Sequence, residues 1–456
     1  MSHVAVIDIG KTNAKLALVD LAELSEIAVI TRPNTVRPGP PYPHFDVEGH
    51  WHFLLEGLAR FHAAHGIDAI SVTTHGACAA LLDAEGGLAA PILDYEFNGP
   101  DERATEYDAI RPPFDETGSP RLSGGLNIGA QLHWQFTTDP GLKARTHTIV
   151  TYPQYWGHRL TGVAATDVTS LGCHTDLWNP QEGRFSTLVE RLEIAGKIAP
   201  ARRSADVLGP ILPEIAEQTG LPANTLVTCG IHDSNASLFP HLLAQEPPFS
   251  VVSSGTWTIA MSIGGRPVAP DPERDVLINV NAFGAAVPSA RFMGGREHDL
   301  ATGGPYPEAS DAALSEVLDR HIMLLPAMVP ETGPFRGRAH RWTGPEPQPG
   351  SAERGVAVAF YLALVTRRCL DLIGHRGNII VEGPFARNRP YLQMLSAATG
   401  CEVLPMGSAT GTGQGAALLV NDAGDRPLAA APQPSVVIPS DRRFGAYAAL
   451  WADACG

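Results

Sequence analysis

The sequence predicts an α/β protein made of two similarly organised halves, and three observations carry that expectation. An apolar stretch from Val4 to Ile9 meets a polar turn over Gly10, Lys11, Thr12 and Asn13, then returns as a second apolar stretch over 14–20, a hairpin signal. The same grammar recurs from Val251 to Thr258, where Ser253, Ser254, Gly255 and Thr256 make the turn. Helical periodicities are interleaved with strands in both halves, as in an α/β core.

Bulk properties narrow the class. At 456 residues the chain is long enough for two domains, each with its own core. A hydrophobic content of 44% with 18% charged residues describes a globular protein. The formal net charge of -15, with no basic stripe to offset it, argues against a nucleic-acid partner. Six cysteines without CxxC spacing read as reduced thiols of a cytoplasmic protein. No charged leader precedes the first strand and no apolar run approaches ~18 residues, so neither a signal peptide nor a membrane span is expected. His62 and His65 lack the i,i+4 spacing of a helical metal motif.

Along the chain, Arg32 to Pro43 is a Pro/Gly-rich loop. Trp51 to His65 carries Phe53, Leu54, Leu58 and Phe61 at helical spacing and ends at Gly66. Ala69 to Thr74 reads as a buried strand leading into His75 and Gly76. Ala79 to Asp83 and Leu88 to Leu93 read as short strands around a Glu85-Gly86-Gly87 turn. A short helix within Ile211 to Leu221 precedes a strand from Thr225 to Cys229, and His232 to Leu242 reads as a helix with Asp233 at or near its N-cap. The break at Gln245 to Pro248 places a domain boundary there, giving domains over 1–244 and 250–456. Beyond it, Val356 to Ile373 is a long apolar helix ended by Gly374, and Asn378 to Glu382 is a strand running into Gly383 and Pro384.

Turns of glycine and hydroxyl residues let backbone N–H donors approach a phosphate closely. Asp233 could take a proton from an alcohol, and a helix N-terminus favours its ionised form. Two phosphate-type turns plus one placed acid suggest phosphoryl transfer to a hydroxyl. Asp is also a favoured N-cap, but the flanking His232 and Asn235 favour function. Asp8 on an apolar strand is costly to bury without a partner, which favours a metal-facing role. Lys11 and Lys15 have two readings, phosphate contact or a solvated tip. Gly76 has two as well, close approach to a ligand or an ordinary turn.

In this order and spacing the residues resemble the FGGY family of carbohydrate kinases, in its rhamnulokinase and fuculokinase branch. The matching features are Asp8-Ile9-Gly10, Thr74-His75-Gly76, Arg159-Leu160-Thr161-Gly162 followed by Asp167, Gly230-Ile231-His232-Asp233, Ser253 to Trp257, and the Gly383 turn. The resemblance implies two actin/hexokinase-type (ribonuclease-H-like) domains with a central cleft, closing on ATP and a ketose. It also implies Mg²⁺ and transfer of the γ-phosphoryl group to a sugar hydroxyl. Asp233 matches the catalytic base and Asp8 the carboxylate facing the metal. Lys11, Thr12, Asn13 and Lys15 match the first phosphate loop, Gly255 and Thr256 the second, and Gly383 the adenosine site. His75, Gly76, His232 and Ser234 fall to the sugar pocket. Dimers are common among such relatives.

Asp94-Tyr95-Glu96 stands where many relatives carry a Trp-x-Asp-x-Arg segment on the sugar. Gln131 and Trp134 stand on the family's cleft-lining helix, although a core aromatic fits Trp134 better. Two departures leave the sugar open. Phe292 to Glu297 replaces an asparagine-containing segment and would bring a charged pair, Arg296 and Glu297, to the sugar. Ser408 to Gly413 replaces a Glu-Ala-Thr sequence. The competing readings are a kinase of another polyol or a sugar-acid derivative, and a non-catalytic nucleotide-binding regulator on the same fold; the intact Asp233 argues against the latter.

Overall fold

Alternation along the first strand sorts its side chains onto two faces. In β1 (His3–Ile9), Ala5, Ile7 and Ile9 join a buried cluster with Leu54, Leu58 and Phe61 of α1 (Val47–His65), whereas Val4 and Val6 join a separate cluster. The computed structural model describes residues 3–406, 411–421, 439 and 441–456. It divides into two units. The first holds Met1–Ala244, Ile278–Ala286 and Thr410–Leu428, and the second Gln245–Leu277, Val287–Ala409 and Ala429–Gly456.

In the first unit β1 turns back as β2 (Asn13–Asp20) and then β3 (Ser25–Pro33), each antiparallel to its predecessor. The Asp46 side chain caps α1 by accepting the Gly49 N–H, and Gly66, at φ 78°, ends it. β4 (Ala69–Thr74) lies parallel to β1. β5 (Ala79–Leu82) pairs outside this sheet with β6 (Thr148–Thr151), and α2 (Tyr152–Thr161) sends Tyr152, Tyr155 and Trp156 into the first cluster. β7 (Val207–Pro210), β8 (Leu226–Thr228) and β9 (Ile231–His232) complete a seven-stranded sheet, ordered β7-β8-β4-β1-β2-β3 with β9 beside β4. α3 (Asp233–Ala244) leaves directly from β9 and packs Ala236 and Phe239 on the Val4 and Val6 face.

The second unit repeats this plan. β10 (Phe249–Ser254) and β11 (Thr258–Ile263) form the hairpin, followed by β12 (Val276–Val280) and β13 (Ala286–Phe292). α4 (Gly294–Thr302) and α5 (Ala352–Leu372) precede β14 (Asn378–Glu382), then come α6 (Arg389–Thr399) and β15 (Val403–Pro405). The sheet order is β12-β13-β11-β10-β14-β15, with β14 parallel to β10 and β15 parallel to β14. Thus β8-β4-β1-β2-β3 and β15-β14-β10-β11-β13 share one arrangement, the ribonuclease-H-like plan twice over. α5 fills the core with Val356 to Val365, its Phe360 edge-on to Phe444 and Tyr447 of a terminal helix, Arg443–Cys455.

Two expectations need correction. Leu88 to Leu93 is not a strand: Leu88 makes only an isolated bridge to Leu82. The Asp83 carboxylate accepts the N–H groups of Glu85 and Gly87, so the turn closes on a side chain, and β5 pairs with β6 instead. Arg32 and Pro33 are not loop but the end of β3, an edge strand where a proline is tolerated. The compact units do not follow the chain in a single cut, because burial draws two later segments into the first unit. Val280 packs among Ile128, Leu171 and Leu177, and Ala416 to Leu419 pack with Val4, Val6 and Phe239. Ser408 to Thr410 of the altered C-terminal segment lie outside the described residues. Among the described residues no helix is long and apolar enough to cross a membrane.

Candidate active site

β1, β4 and β9 run parallel, so their carboxyl ends meet at one edge, where open α/β sheets place ligands. Asp8 follows Val4 and Val6 onto the face that α3 covers. Burial pushes its carboxyl up to about 6; Lys15 opposes this, and Asp233 and Glu26 add to it. Hairpin register sets Lys15 opposite Asp8, yet its Nζ lies 3.8 Å from Asp8 and 2.8 Å from Glu26. The ammonium is therefore mostly spent on Glu26.

Asp233 is the first residue of α3, at the positive end of the helix. Its Oδ1 accepts the Ser234 N–H at 2.6 Å and the Ser234 hydroxyl at 3.3 Å, and lies 3.2 Å from His232 Nε2. Among the described residues no hydrogen bond reaches Oδ2. Gly76 stands against the same histidine: a Cβ there would lie 2.7 Å from His232 Nε2. Its bare Cα makes room for the imidazole, a reason the sequence did not show.

His75 donates its backbone N–H to Ile9 O and, through Nδ1, bonds Gly76 O at 2.9 Å. Burial drives its pKa down to about 4, so the ring is neutral and Nε2 is a bare acceptor, buried and without a hydrogen-bond partner among the described residues. Phe45, Tyr95 and Tyr152 surround it with ring centroids at 5.1, 5.2 and 5.0 Å. Lys11 does not stand free at the hairpin tip. Its ammonium bonds Asp94, lies 3.1 Å from Glu96 and sits 4.8 Å above the Tyr95 ring. Thr12 and Asn13 are exposed at the tip. The tip is clamped by Asn34, whose N–H reaches Thr12 O and whose amide reaches Gly10 O, both at 2.8 Å. Gln131 spends its amide on the Ala77 and Gly125 carbonyls, and Trp134 is buried against Tyr42 and Phe97 as a core aromatic.

In the second unit, Gly255 N–H closes the turn on Trp257 O at 2.9 Å, as Gly10 N–H does on Asn13 O. A Cβ on Gly295 would lie 2.3 Å from Gly255 O, and one on Gly294 would lie 2.2 Å from Thr258 Oγ1. The altered segment is thus a Gly-Gly seat for the phosphate-type turn. Its expected charged pair does not form. Glu297 is buried, accepting Val329 N–H at 3.2 Å and Tyr361 O–H at 2.8 Å, with burial pushing it up to about 7. Adjacent helical positions point about 100° apart, so Arg296 faces a cavity while Glu297 faces the core. That cavity, of 810 Å³, is lined by Gly255, Thr256, Arg296, His298, Tyr306 and Phe385 among others. Gly383 shapes its edge at φ 77°, and the Ser254 hydroxyl accepts the Phe385 N–H at 3.0 Å.

Asp8, Lys15, His75, Gly76, His232, Asp233 and Ser234 thus belong to the first unit, and Gly255, Thr256 and Gly383 to the second. Phe45, Asn34, Tyr152 and Cys173 were missed, because none lies in a turn or motif that carries chemistry by itself. Only the Gly172-Cys173-His174 run after Asp167 offered a signal.

The model of the FGGY N-terminal domain matches residues 3–240, and that of the carbohydrate kinase FGGY C-terminal domain matches 246–428. An L-fuculokinase of Salmonella typhi is 30% identical over 206 residues, 43% of this chain and 42% of that protein. A rhamnulokinase of Bacillus subtilis (strain 168) is 25% identical over 58% of this chain and 55% of its own length. The chain therefore spans about half the length of the curated relatives it matches. A solved carbohydrate kinase from Novosphingobium aromaticivorans is 36% identical with a TM-score of 0.89, covering 99% of this chain and 100% of that one. Matched through both halves of its doubled fold, the chain belongs to the FGGY family of carbohydrate kinases.

Proposed function

We propose that this protein is an ATP-dependent sugar kinase that phosphorylates a hydroxyl of a neutral ketose, with Asp233 as general base. The observation that carries this reading is the Asp233 carboxylate, tethered through Oδ1 and open at Oδ2, at a helix N-terminus on the ligand-binding edge of the sheet. An acceptor oxygen forms its bond to the γ-phosphorus as the bond to the bridging oxygen breaks. The electron pair leaves on ADP and the hydroxyl proton passes to Asp233 Oδ2. The 810 Å³ cavity falls in the size range of nucleotide-sized ligand sites, with His298, Tyr306 and Phe385 as its aromatic lining.

Charge favours a neutral acceptor over a sugar acid. Carboxylates of Asp8, Asp94, Glu96 and Asp233 outnumber the ammonium groups of Lys11 and Lys15, which already have acidic partners. The bare His75 Nε2 and the neighbouring rings suit a polyhydroxylated molecule with one apolar face. The names of the L-fuculokinase and rhamnulokinase relatives support the same class. A coupled ADP-release screen over ketopentoses, 6-deoxyketohexoses, polyols and aldonates tests this. A ketose should lead, with aldonates lower by on the order of 10²-fold in kcat/KM. An aldonate or glycerol matching the best ketose would overturn it.

Mg²⁺ fits the residues present. No group of three or more His, Cys, Asp or Glu forms a cage among the described residues, but Mg²⁺ at phosphoryl-transfer sites uses one or two carboxylates plus substrate phosphates. Asp8, half-buried and under-compensated by Lys15, is the hard oxygen ligand such an ion needs, and the ion would neutralise charge developing on the phosphates. The raised pKa means that Asp8 contributes stability below about pH 4, lost as pH rises through about 6. Mg²⁺ should offset that loss. The expected result is a larger Mg²⁺-induced rise in Tm at pH 7.5 than at pH 5, absent in Asp8→Asn. An equal rise in the variant would remove Asp8 from the metal site.

Gly76→Ala should drive its methyl into the His232 ring. Displacing a group beside the reacting centre by about 1 Å costs on the order of 10²-fold in turnover. A variant with unchanged kcat would show that His232 needs no such space.

A further inference from the structure

We propose that Cys173 is a positioning residue for the phosphoryl-transfer base: its sulfur and the Asp233 carboxylate grip the same Nε2 edge of His232, orienting the carboxylate so that Oδ2 meets the acceptor. This rests on the reading of Asp233 as the base. Cys173 Sγ lies 3.6 Å from His232 Nε2, and that nitrogen lies 3.2 Å from Asp233 Oδ1. A nitrogen so close to a carboxylate oxygen carries a proton, which makes the sulfur a second acceptor for it. His232 Nδ1 is buried with no hydrogen-bond partner among the described residues, so the ring's polar contacts lie on its Nε2 edge.

One short segment builds this support. Asp167 caps the helix Val168–Leu171 by accepting the N–H groups of Thr169 and Ser170, and also accepts the hydroxyls of Thr169 at 2.6 Å and Ser204 at 2.9 Å. The Thr169 hydroxyl in turn accepts the His232 N–H at 3.0 Å. The segment therefore holds the backbone of His232 through Thr169 and its ring through Cys173, which is 6% exposed. Gly76 leaves the space for both groups: its missing Cβ would lie 2.7 Å from Nε2 and 3.5 Å from Sγ.

Electrostatics agree with the geometry. Burial opposes both charges, yet His174 and His232 hold the Cys173 thiol below its ordinary range. Cys173 and Asp233, with Asp167 behind them, raise His232 against its own burial, while His75 is the neutral ring across Gly76. A raised histidine stays charged below its folded pKa and loses that charge as pH rises through it.

The test compares Cys173→Ala, Cys173→Ser and Asp233→Asn in the full chain. Cys173→Ala should lower kcat about tenfold by misorienting the base, with the KM for ATP unchanged. The alkaline limb of kcat and the NMR titration midpoint of the His232 ring should both fall by about one pH unit. Cys173→Ser, whose hydroxyl can accept the Nε2–H, should recover most of kcat. Wild-type kcat and limb in Cys173→Ala would overturn the proposal. So would equal losses in Ala and Ser variants with an unmoved His232 midpoint, which would mean that the sulfur only fills space. If Asp233→Asn keeps its turnover the base assignment fails, whereas the His232 midpoint still reports whether Cys173 holds the ring.

Discussion

Asp233→Asn is expected to abolish most turnover while leaving the protein folded. The amide oxygen can still accept the Ser234 N–H that now binds Oδ1 at 2.6 Å, so the start of α3 keeps its local bond. On the proposed reading, what is lost is the basic oxygen that would take the hydroxyl proton. That interaction strengthens only on the way to the transition state, so kcat should fall by ~10²-fold or more with little change in the KM of either substrate. Steady-state kinetics with a coupled ADP readout, alongside nucleotide binding by calorimetry, separate the effects. A purified variant with near-normal kcat would reduce Asp233 to the first residue of a helix.

Gly383→Ala should be nearly as severe, acting at the edge of the proposed nucleotide cavity. Gly383 sits at φ 77° and ψ -159°, a region open essentially to glycine alone, and its Cβ would lie 1.9 Å from Ser254 O. Backbone strain of about 1–3 kcal/mol adds to that clash. Because the obstacle is the end of β10 rather than a flexible side chain, either that strand or the Gly383–Phe385 turn must move. The Phe385 N–H would then leave the Ser254 hydroxyl and the cavity edge would shift. The expected outcome is a lowered Tm and a rise of tenfold or more, on the order of a lost hydrogen-bonded wall, in the KM for ATP. An unchanged Tm and an unchanged KM would show that the turn tolerates a side chain. A raised KM for ATP with sugar binding intact would place the damage at the proposed nucleotide turn.

Much of the frame was legible in the sequence because it is written in short-range signals. Period-2 alternation put Asp8 on the Val4 and Val6 face, the Gly10 and Gly255 turns marked two hairpins, and Asp233 sat where an apolar strand gives way to a helix. The doubled grammar of the chain corresponds to two sheets of the same strand order. Such features depend on residues within a few positions of one another, so a linear reading reaches them.

Only the tertiary structure decided which distant groups meet. Cys173 reaches His232 from 59 residues away, and Lys11 finds Asp94 rather than solvent across 83. Arg296 and Glu297, neighbours in sequence and alike in polarity, part company because the turn of one helix sends one to a cavity and the other to Tyr361. Val280 and Ala416 to Leu419 lie in the later half yet belong to the first unit, since burying their apolar surface there outweighs chain proximity. The determinants in each case are burial and shape at a meeting of remote segments. A sequence pattern records which residues could face a core, but the packing of the chain selects which core they face.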